Sequence, residues 1–170
     1  MIKRISILVV VALVALGGLC FAVGESATDF SLKDFNGKEF RLSDHLGDKV
    51  VIMSFWMSWC KPCQVEMPQL QELYNKYKDK GLLVVSINAD DPSGVAKAKS
   101  IVRQKKLTYP VLFDSDTKVT GLYNPNKAFP YTVVIDKNKK IVHVKTGFSA
   151  GDEKHLEEIV TKALAGQEVN

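Results

Sequence analysis

The sequence predicts a three-layer α/β domain, in which a mixed central β-sheet carries helices on both faces. Three observations lead to this fold class. Apolar runs of strand length alternate with helical patterns through the middle of the chain, the order that produces parallel strands joined by helices. Asn36-Gly37 indicates an N-terminal β-hairpin before this part. A second pair of strands after it, joined by the turn at 136–139, supplies an antiparallel edge.

Each element follows from a local pattern. Residues 30–32 and 40–42 alternate apolar and polar around the hairpin turn, and the continuous apolar run 50–55 suits a buried central strand. From Cys63 the apolar positions follow helical spacing until Gly81, and Pro68 should kink that helix. The later predicted elements are a strand at 82–87, a helix at 95–105, a strand at 111–113, a short helix at 119–123, strands at 131–135 and 140–145, and a helix at 152–164.

Composition bounds the class of protein. The chain has 170 residues, 46% of them hydrophobic and 25% charged, which favours one ordinary globular domain. The formal charge is +4, and Lys3 and Arg4 in the N-terminal segment contribute two of these charges, which leaves +2 for the rest. This excess is too small to indicate nucleic-acid binding, and no basic stripe with interleaved aromatic residues is present.

The N-terminus predicts an export signal. Lys3 and Arg4 precede an apolar stretch at 5–23, and cleavage after Ala22 or after Gly24 fits the small-residue rule. The stretch also approaches the length that spans a bilayer, so an uncleaved membrane anchor stays open. In both cases the domain is expected outside the cytoplasm. We therefore expect a signal peptide or anchor at 1–24, the folded domain at 25–166 and a tail at 167–170.

The cysteines point to one redox pair. Cys20 lies in the apolar N-terminal stretch. A lipid-modified cysteine is the less favoured alternative, because Leu19 before it is larger than a lipoprotein signal prefers, so we treat Cys20 as a hydrophobe in an apolar helix. The domain then contains only Cys60 and Cys63, which excludes a disulfide-rich scaffold and a four-cysteine zinc site. A strand leads into this C-x-x-C pair and a helix leaves it, which indicates a redox site rather than a structural staple.

The position of the pair predicts its chemistry. The thiolate is the nucleophile in disulfide exchange, and a helix N-terminus or an adjacent cation such as Lys61 lowers a thiol pKa. Cys60 falls at the predicted helix start and Cys63 one turn further in, so we expect attack by Cys60 and resolution by Cys63. Pro62 suits the first helical turn, where its missing N–H has no intrahelical partner to lose.

These residues resemble a known family. Residues 54–63, ending in Trp-Cys-Lys-Pro-Cys, look like the active-site stretch of thioredoxin-fold proteins, Pro68 matches the fold's helix proline, and Phe129-Pro130 resembles its cis-proline segment. The closest resemblance is to the extracytoplasmic TlpA/ResA-like branch, also grouped with redoxin or AhpC/TSA-type domains. It covers residues 25–166, and it includes the N-terminal hairpin and an inserted helix within 89–107.

The resemblance implies roles for individual residues. Cys60 would be the exposed attacking cysteine, and Pro130, in cis, would stand against the disulfide while the Phe129 backbone pairs with substrate. Glu66 matches the acidic residue that tunes the thiols in the ResA-like branch, although a glutamate that only complements the helix dipole stays open. Trp59 and Pro62 would contact substrate, and Lys61 would be a tuning charge or a solvated residue. Ser54 stands where classical thioredoxins have a buried aspartate.

The implied activity is thiol–disulfide exchange outside the cytoplasm without a cofactor. Reducing members act on oxidised protein cysteines, including those of apocytochromes c, and a membrane thiol donor recharges them. A copper-handling protein and a thiol peroxidase are the alternatives. His45, His143 and His155 are scattered in the sequence, and we expect surface positions for them.

Overall fold

The structure, a computed structural model, describes residues 23–169. Within this range the chain forms seven strands and four α-helices. The strands are β1 Ser31–Asp34, β2 Glu39–Arg41, β3 Val50–Trp56, β4 Leu82–Asn88, β5 Val111–Phe113, β6 Tyr131–Ile135 and β7 Ile141–Thr146. The helices are α1 Lys61–Tyr77, α2 Val95–Gln104, α3 Lys118–Tyr123 and α4 Asp152–Leu164.

The strands join one mixed sheet in the order β2-β1-β5-β4-β3-β6-β7. The three strands separated by helices, β3, β4 and β5, pair in parallel, as their connections require. β6 and β7 form the predicted antiparallel edge beside β3. The N-terminal hairpin forms the other edge, because β1 pairs antiparallel with β5. The sequence predicted the hairpin but not its position in the sheet.

Helices cover both faces of the sheet, which confirms the predicted layers. Alternate residues of β3 enter two separate apolar clusters, because neighbouring side chains of a strand point to opposite faces. Val50 and Ile52 pack with α1, α2 and α4 in the first cluster. Val51 and Met53 pack with α3 and the N-terminal hairpin in the second. The long, fully buried strands β3 and β4 lie between the two clusters.

Helix α1 begins at Lys61, immediately after Cys60, the predicted start. Cys60 occupies the cap position with extended backbone angles, and Pro62 falls in the first turn, where a proline is tolerated. The helix continues across Pro68 to Tyr77, and Gly81, with φ of 100°, follows a short 3₁₀ turn after it. This start places Cys60 immediately before the free N–H groups of the helix.

The predicted leader at 1–24 lies outside the described residues, apart from Val23 and Gly24. The Gly24 N–H donates to the carbonyl of Ile141 at 2.7 Å, so the chain joins the sheet edge from this residue onward. Across residues 23–169, no helix is both long enough and apolar enough to cross a membrane.

Candidate active site

A disulfide joins Cys60 and Cys63 at the junction between β3 and α1. The two Cα atoms are 5.4 Å apart and the sulfur atoms are 2.04 Å apart. The backbone N–H of Cys63 donates to Sγ of Cys60 at 3.2 Å, so the sulfur of Cys60 occupies the position of a helix-capping acceptor. An N–H group and the positive end of the helix dipole therefore both act on this sulfur, and both favour a thiolate there.

Exposure does not separate the two cysteines. Cys60 is 3% exposed and Cys63 is 1% exposed, so the expectation of an exposed attacking cysteine is wrong for this oxidised state. The physical reason is that Sγ of Cys60 turns inward to Cys63 in the disulfide. What distinguishes Cys60 is its position at the cap, where its sulfur accepts the helix N–H.

A buried carboxylate that the sequence did not single out holds the loop before Cys60. Asp90, 4% exposed, accepts hydrogen bonds from the Ser58 backbone N–H at 2.9 Å and from the Ser58 hydroxyl at 3.2 Å. The Asn88 side chain donates to the same carboxylate at 2.9 Å, and the Gln64 side chain donates to the Ser58 carbonyl at 3.0 Å. In the sequence, the Asp-rich turn after β4 was the only indication that a carboxylate holds this loop, because Asp90 and its partner Ser58 are far apart in sequence.

Glu66 is buried in α1, three residues after Cys63, with 4% exposure. The Ser54 hydroxyl donates to its Oε2 at 2.9 Å and the Thr132 hydroxyl donates to its Oε1 at 2.8 Å. Burial raises the pKa of Glu66, and these two hydrogen bonds oppose the shift. A surface glutamate that only complements the helix dipole would not have these properties.

The partners of Glu66 belong to a polar row that crosses the buried sheet. Ser86 on β4 is paired with Ser54 on β3, Ser54 with Thr132 on β6, and Thr132 with Lys145 on β7. Paired residues of neighbouring strands point to the same face, so all four side chains face the α1 side. At the outer end, Lys145 forms an ion pair with Asp152 at 2.5 Å.

The segment before β6 has the backbone that the resemblance implies. The Phe129–Pro130 bond is cis, which confirms that expectation. Trp59 is 61% exposed, and its ring meets the ring of Phe129 edge-on with centroids 6.4 Å apart. Lys61, the first residue of α1, is exposed. The structure therefore brings Trp59 and Phe129 together beside the disulfide.

The histidines are not all scattered. His45 lies apart and stacks on Phe40, but the rings of His143 and His155 are in contact, with centroids 5.7 Å apart. His143 on β7 is half-buried and His155 on α4 is exposed. The sequence hid this pair because it depends on how α4 packs against the sheet edge. No group of three or more His, Cys, Asp or Glu residues within 23–169 is arranged to hold a metal ion.

Comparison with known proteins gives consistent results. The family model of the AhpC/TSA family matches residues 23–144. The thiol-disulfide oxidoreductase ResA of Geobacillus kaustophilus (strain HTA426) is 39% identical over 140 residues, which cover 81% of this chain and 78% of the relative. ResA of a Bacillus cereus strain is 40% identical over 120 residues, covering 71% of this chain and 67% of the relative.

Solved structures share the fold. A proposed thiol:disulfide interchange protein DsbE from Chlorobium tepidum superposes with a TM-score of 0.78 at 34% identity, covering 85% of this chain and 99% of that chain. A proposed protein disulfide isomerase from Bacteroides thetaiotaomicron gives a TM-score of 0.77 at 28% identity, covering 85% and 91%. The seven-stranded sheet and its helices are therefore a thioredoxin-like fold, as the resemblance implied.

Proposed function

The chain belongs to the AhpC/TSA family and is a thioredoxin-like thiol–disulfide oxidoreductase, and we propose that Cys60 and Cys63 are its redox-active pair. One observation carries this proposal. The disulfide lies at the N-terminus of α1, where the Cys63 N–H donates to Sγ of Cys60. A thiolate at Cys60 is favoured by the same groups, and the thiolate is the attacking nucleophile in disulfide exchange.

The proposed cycle begins with the reduced protein. The Cys60 thiolate attacks a disulfide of the substrate, forms a mixed disulfide and releases one substrate sulfur as thiolate. The Cys63 sulfur then attacks Sγ of Cys60, which closes the internal disulfide and releases the second substrate sulfur. Two electrons pass from the pair to the substrate in this sequence, and a dithiol donor returns them.

Substrate contacts are assigned to the side chains around the disulfide. Trp59 and Phe129 present aromatic surface next to Cys60, and the exposed face of Trp59 supports a docking role. Pro62 and Pro130 would shape the floor on which an extended segment of the substrate lies, with the Phe129 backbone as its hydrogen-bonding partner. Lys61 would add a positive charge beside the reacting sulfur.

Glu66 is proposed to exchange a proton with Cys63. It lies one helical turn from Cys63, it is buried, and its pKa is raised by that burial. A carboxyl with these properties takes the proton of a neighbouring thiol more readily than an exposed one does. Ser54 and Thr132 hold the carboxyl in place as it gains and loses the proton.

The proposed setting is outside the cytoplasm, with reduction of protein disulfides as the net reaction. The basic and apolar pattern of residues 1–24 supports export, either by a cleaved signal peptide or with an anchor. Oxidised apocytochromes c are proposed substrates, and a membrane thiol–disulfide protein is the proposed donor. Fractionation of expressing cells and N-terminal sequencing of the product would test the location and the cleavage.

The redox assignment is tested with insulin reduction and trapping. Cys60→Ser is expected to abolish insulin reduction, whereas Cys63→Ser is expected to accumulate a mixed disulfide, since nothing resolves it. Absence of any adduct in Cys63→Ser would contradict the assigned order of attack. The reduction potential of the pair, measured against glutathione and dithiothreitol, tests the direction, because a reductase requires a potential well below those of protein oxidants.

A further inference from the structure

We infer that the protein prefers substrates with acidic side chains beside the disulfide, and that these side chains bind in a cationic groove between the residues around Cys60 and α2. The inference rests on the proposed function, in which Cys60 attacks protein disulfides, and it adds a preference among them. The groove has a volume of about 490 Å³. Ligand sites in proteins usually measure roughly 300–1,000 Å³, so this groove has room for a short stretch of polypeptide.

One wall of the cationic groove comes from the residues that flank Cys60. Trp59 and Lys61 lie on either side of the cysteine in the chain, and Ser58 and Gln64 line this wall with them. Trp59 is 61% exposed, so its ring offers apolar surface to a bound chain. A polypeptide in the groove would therefore lie next to the sulfur that attacks its disulfide.

The other wall of the groove is one face of α2. Lys97, Ser100, Ile101 and Gln104 line it, at spacings of three and four residues that place them on the same side of a helix. Ile101 is 7% exposed, whereas the other three residues are exposed. The wall therefore combines an apolar contact with polar groups that can bind a backbone or a carboxylate.

Asp90 holds the two walls together. Its carboxylate accepts hydrogen bonds from the Ser58 backbone and hydroxyl. Its Cβ lies so close to the start of α2 that a Cβ at Gly94 would be only 2.8 Å from it. The Gln64 side chain donates to the Ser58 carbonyl at 3.0 Å, which ties the first wall to α1 as well. The groove is therefore formed before a substrate arrives, which lowers the entropic cost of binding.

The charged residues that line the groove are both positive. Lys61 and Lys97 are exposed, and neither forms an ion pair within residues 23–169. Lys99 and Arg103 on α2 differ, because each places its charge 5.3 Å from the centre of the Phe35 ring. Two ammonium groups without a carboxylate partner, on the two walls of one groove, favour a ligand that brings negative charge.

The carboxylates that precede α2 are engaged elsewhere. Asp90 is 4% exposed and accepts hydrogen bonds from Ser58 and Asn88. Asp91 accepts from the Gly94 N–H at 3.1 Å, and neither aspartate lines the groove. We expect the ligand to be a polypeptide segment rather than an anionic membrane, because a flat lipid surface cannot enter a groove between two walls.

Matched peptides test this preference. Each contains one cysteine joined by a disulfide to thionitrobenzoate, with glutamate or glutamine at the two positions on each side of the cysteine. The Cys60 thiolate attacks the peptide sulfur and forms a mixed disulfide, and thionitrobenzoate leaves with the electron pair of the broken bond. Stopped-flow absorbance follows its release. The rates of both peptides with 2-mercaptoethanol correct for their intrinsic reactivity.

At low ionic strength, the reduced wild-type protein is expected to react about fivefold faster with the glutamate peptide, the size that exposed charge pairs allow. Added salt is expected to reduce this ratio. Lys97→Gln is expected to lower it to about twofold, because Lys61 remains. Lys97→Glu is expected to favour a lysine-flanked peptide instead. The matched control is Lys99→Gln, which removes the same charge from α2 outside the groove and should keep the wild-type ratio.

Several outcomes would overturn the inference. The ratio could be equal in the wild type and Lys97→Gln, or it could fall equally in Lys99→Gln, which would assign the preference to overall charge. Slower iodoacetamide alkylation of Cys60 in Lys97→Gln would show that the lysine acts on the thiolate and not on the substrate. Co-sedimentation with phosphatidylglycerol vesicles that Lys97→Gln abolishes would assign the lysine to a membrane contact.

Failure of the proposed function would look different. If Cys60→Ser releases thionitrobenzoate from the glutamine peptide as fast as the wild type does, then Cys60 is not the nucleophile and the underlying proposal fails. If the release depends on Cys60 but the wild type treats the glutamate and glutamine peptides alike, the preference alone fails.

Discussion

The two faces of the sheet are built from the same strands but from different chemistry. On the face toward α3, the buried residues of β3 and β6 are all apolar, among them Val51, Phe55 and Val133. On the face toward α1, the same strands place Ser54 and Thr132 below Glu66. Every second residue along a strand belongs to one face, so a few substitutions in alternate positions are enough to separate the two environments.

Because of this difference, we expect the apolar face to contribute mainly to the stability of the fold and the α1 face to the thiol chemistry. The apolar face is stabilised by burial and close packing. The α1 face contains a buried carboxyl that is held by two hydroxyl donors, an arrangement that is unfavourable unless each polar group finds a partner. We expect substitutions on the apolar face to change unfolding, and substitutions on the polar row to change proton and thiol chemistry.

The largest effect on stability is expected from Phe55→Ala. Phe55 is fully buried, with its ring 6.0 Å from the ring of Tyr123 and 6.2 Å from that of Tyr131. Removal of a buried phenylalanine leaves a cavity and costs about 3–5 kcal/mol of unfolding free energy. Urea denaturation measures this loss. The rate of Cys60 alkylation in the folded variant should stay at the wild-type value, and a change there would show that the two faces are not independent.

Glu66→Gln should change the pH dependence of stability. Burial raises the pKa of Glu66 above its ordinary value of 4.5, so the folded state favours the protonated carboxyl. The contribution of this group is fully present below that ordinary value and is lost as the pH rises through the folded pKa. Urea midpoints across pH should therefore fall less steeply in Glu66→Gln than in the wild type. Parallel curves for the two proteins would contradict the raised pKa.

Ser54→Ala is expected to have an intermediate effect. It removes the donor to Oε2 of Glu66, and an unsatisfied buried acceptor costs about 1–3 kcal/mol of unfolding free energy. It should also raise the pKa of Glu66 further, because the lost hydrogen bond opposes the shift. The matched control is Met53→Leu, the preceding residue on the apolar face, which should cost less than about 1.5 kcal/mol. If Met53→Leu lost more unfolding free energy than Ser54→Ala, the expected difference between the two faces would be contradicted.

The smallest effect is expected from Lys61→Gln. Lys61 is exposed at the start of α1, where water and salt screen its charge. Its loss should slow the iodoacetamide alkylation of Cys60 by no more than about fivefold, the limit set by exposed charge pairs. Raising the salt concentration should remove the difference. A larger decrease that persists in high salt would assign Lys61 a direct role in holding the thiolate.

Local patterns were sufficient to place most elements. β5, β6 and α4 have the predicted bounds, because an apolar run or a helical repeat is complete within each segment. The start of α1 at Cys60 was predicted from the motif, whereas the bond from the Cys63 N–H to Sγ of Cys60 was not, since periodicity does not reveal a side-chain bond. The position of the hairpin beside β5 was not predicted either, because pairing between distant strands leaves no local signal.

The candidate site was also predictable where short motifs define it and not where distant elements meet. The Cys60–Cys63 pair and the cis bond before Pro130 were expected from short motifs and their resemblance to a family. The exposure of Cys60 was predicted wrongly, because the inward turn of its sulfur follows from the disulfide itself. The row under Glu66, the clamp of Asp90 on Ser58 and the histidine pair all join residues from separate elements. They appear only when the strand register and helix packing are known.

Both ends of the described chain lie far from the disulfide. Gly24 bonds to Ile141, which is paired with Ile135 and through it with Val51, near the start of β3. Val23 and Val169 border one cavity at this end, whereas Cys60 follows the other end of β3, roughly 20 Å away at the usual rise per strand residue. A surface or resin that holds the domain at residue 23 or residue 169 therefore leaves the redox pair free to meet large partners. The proximity of residues 23 and 169 also makes the described domain suitable for circular permutation.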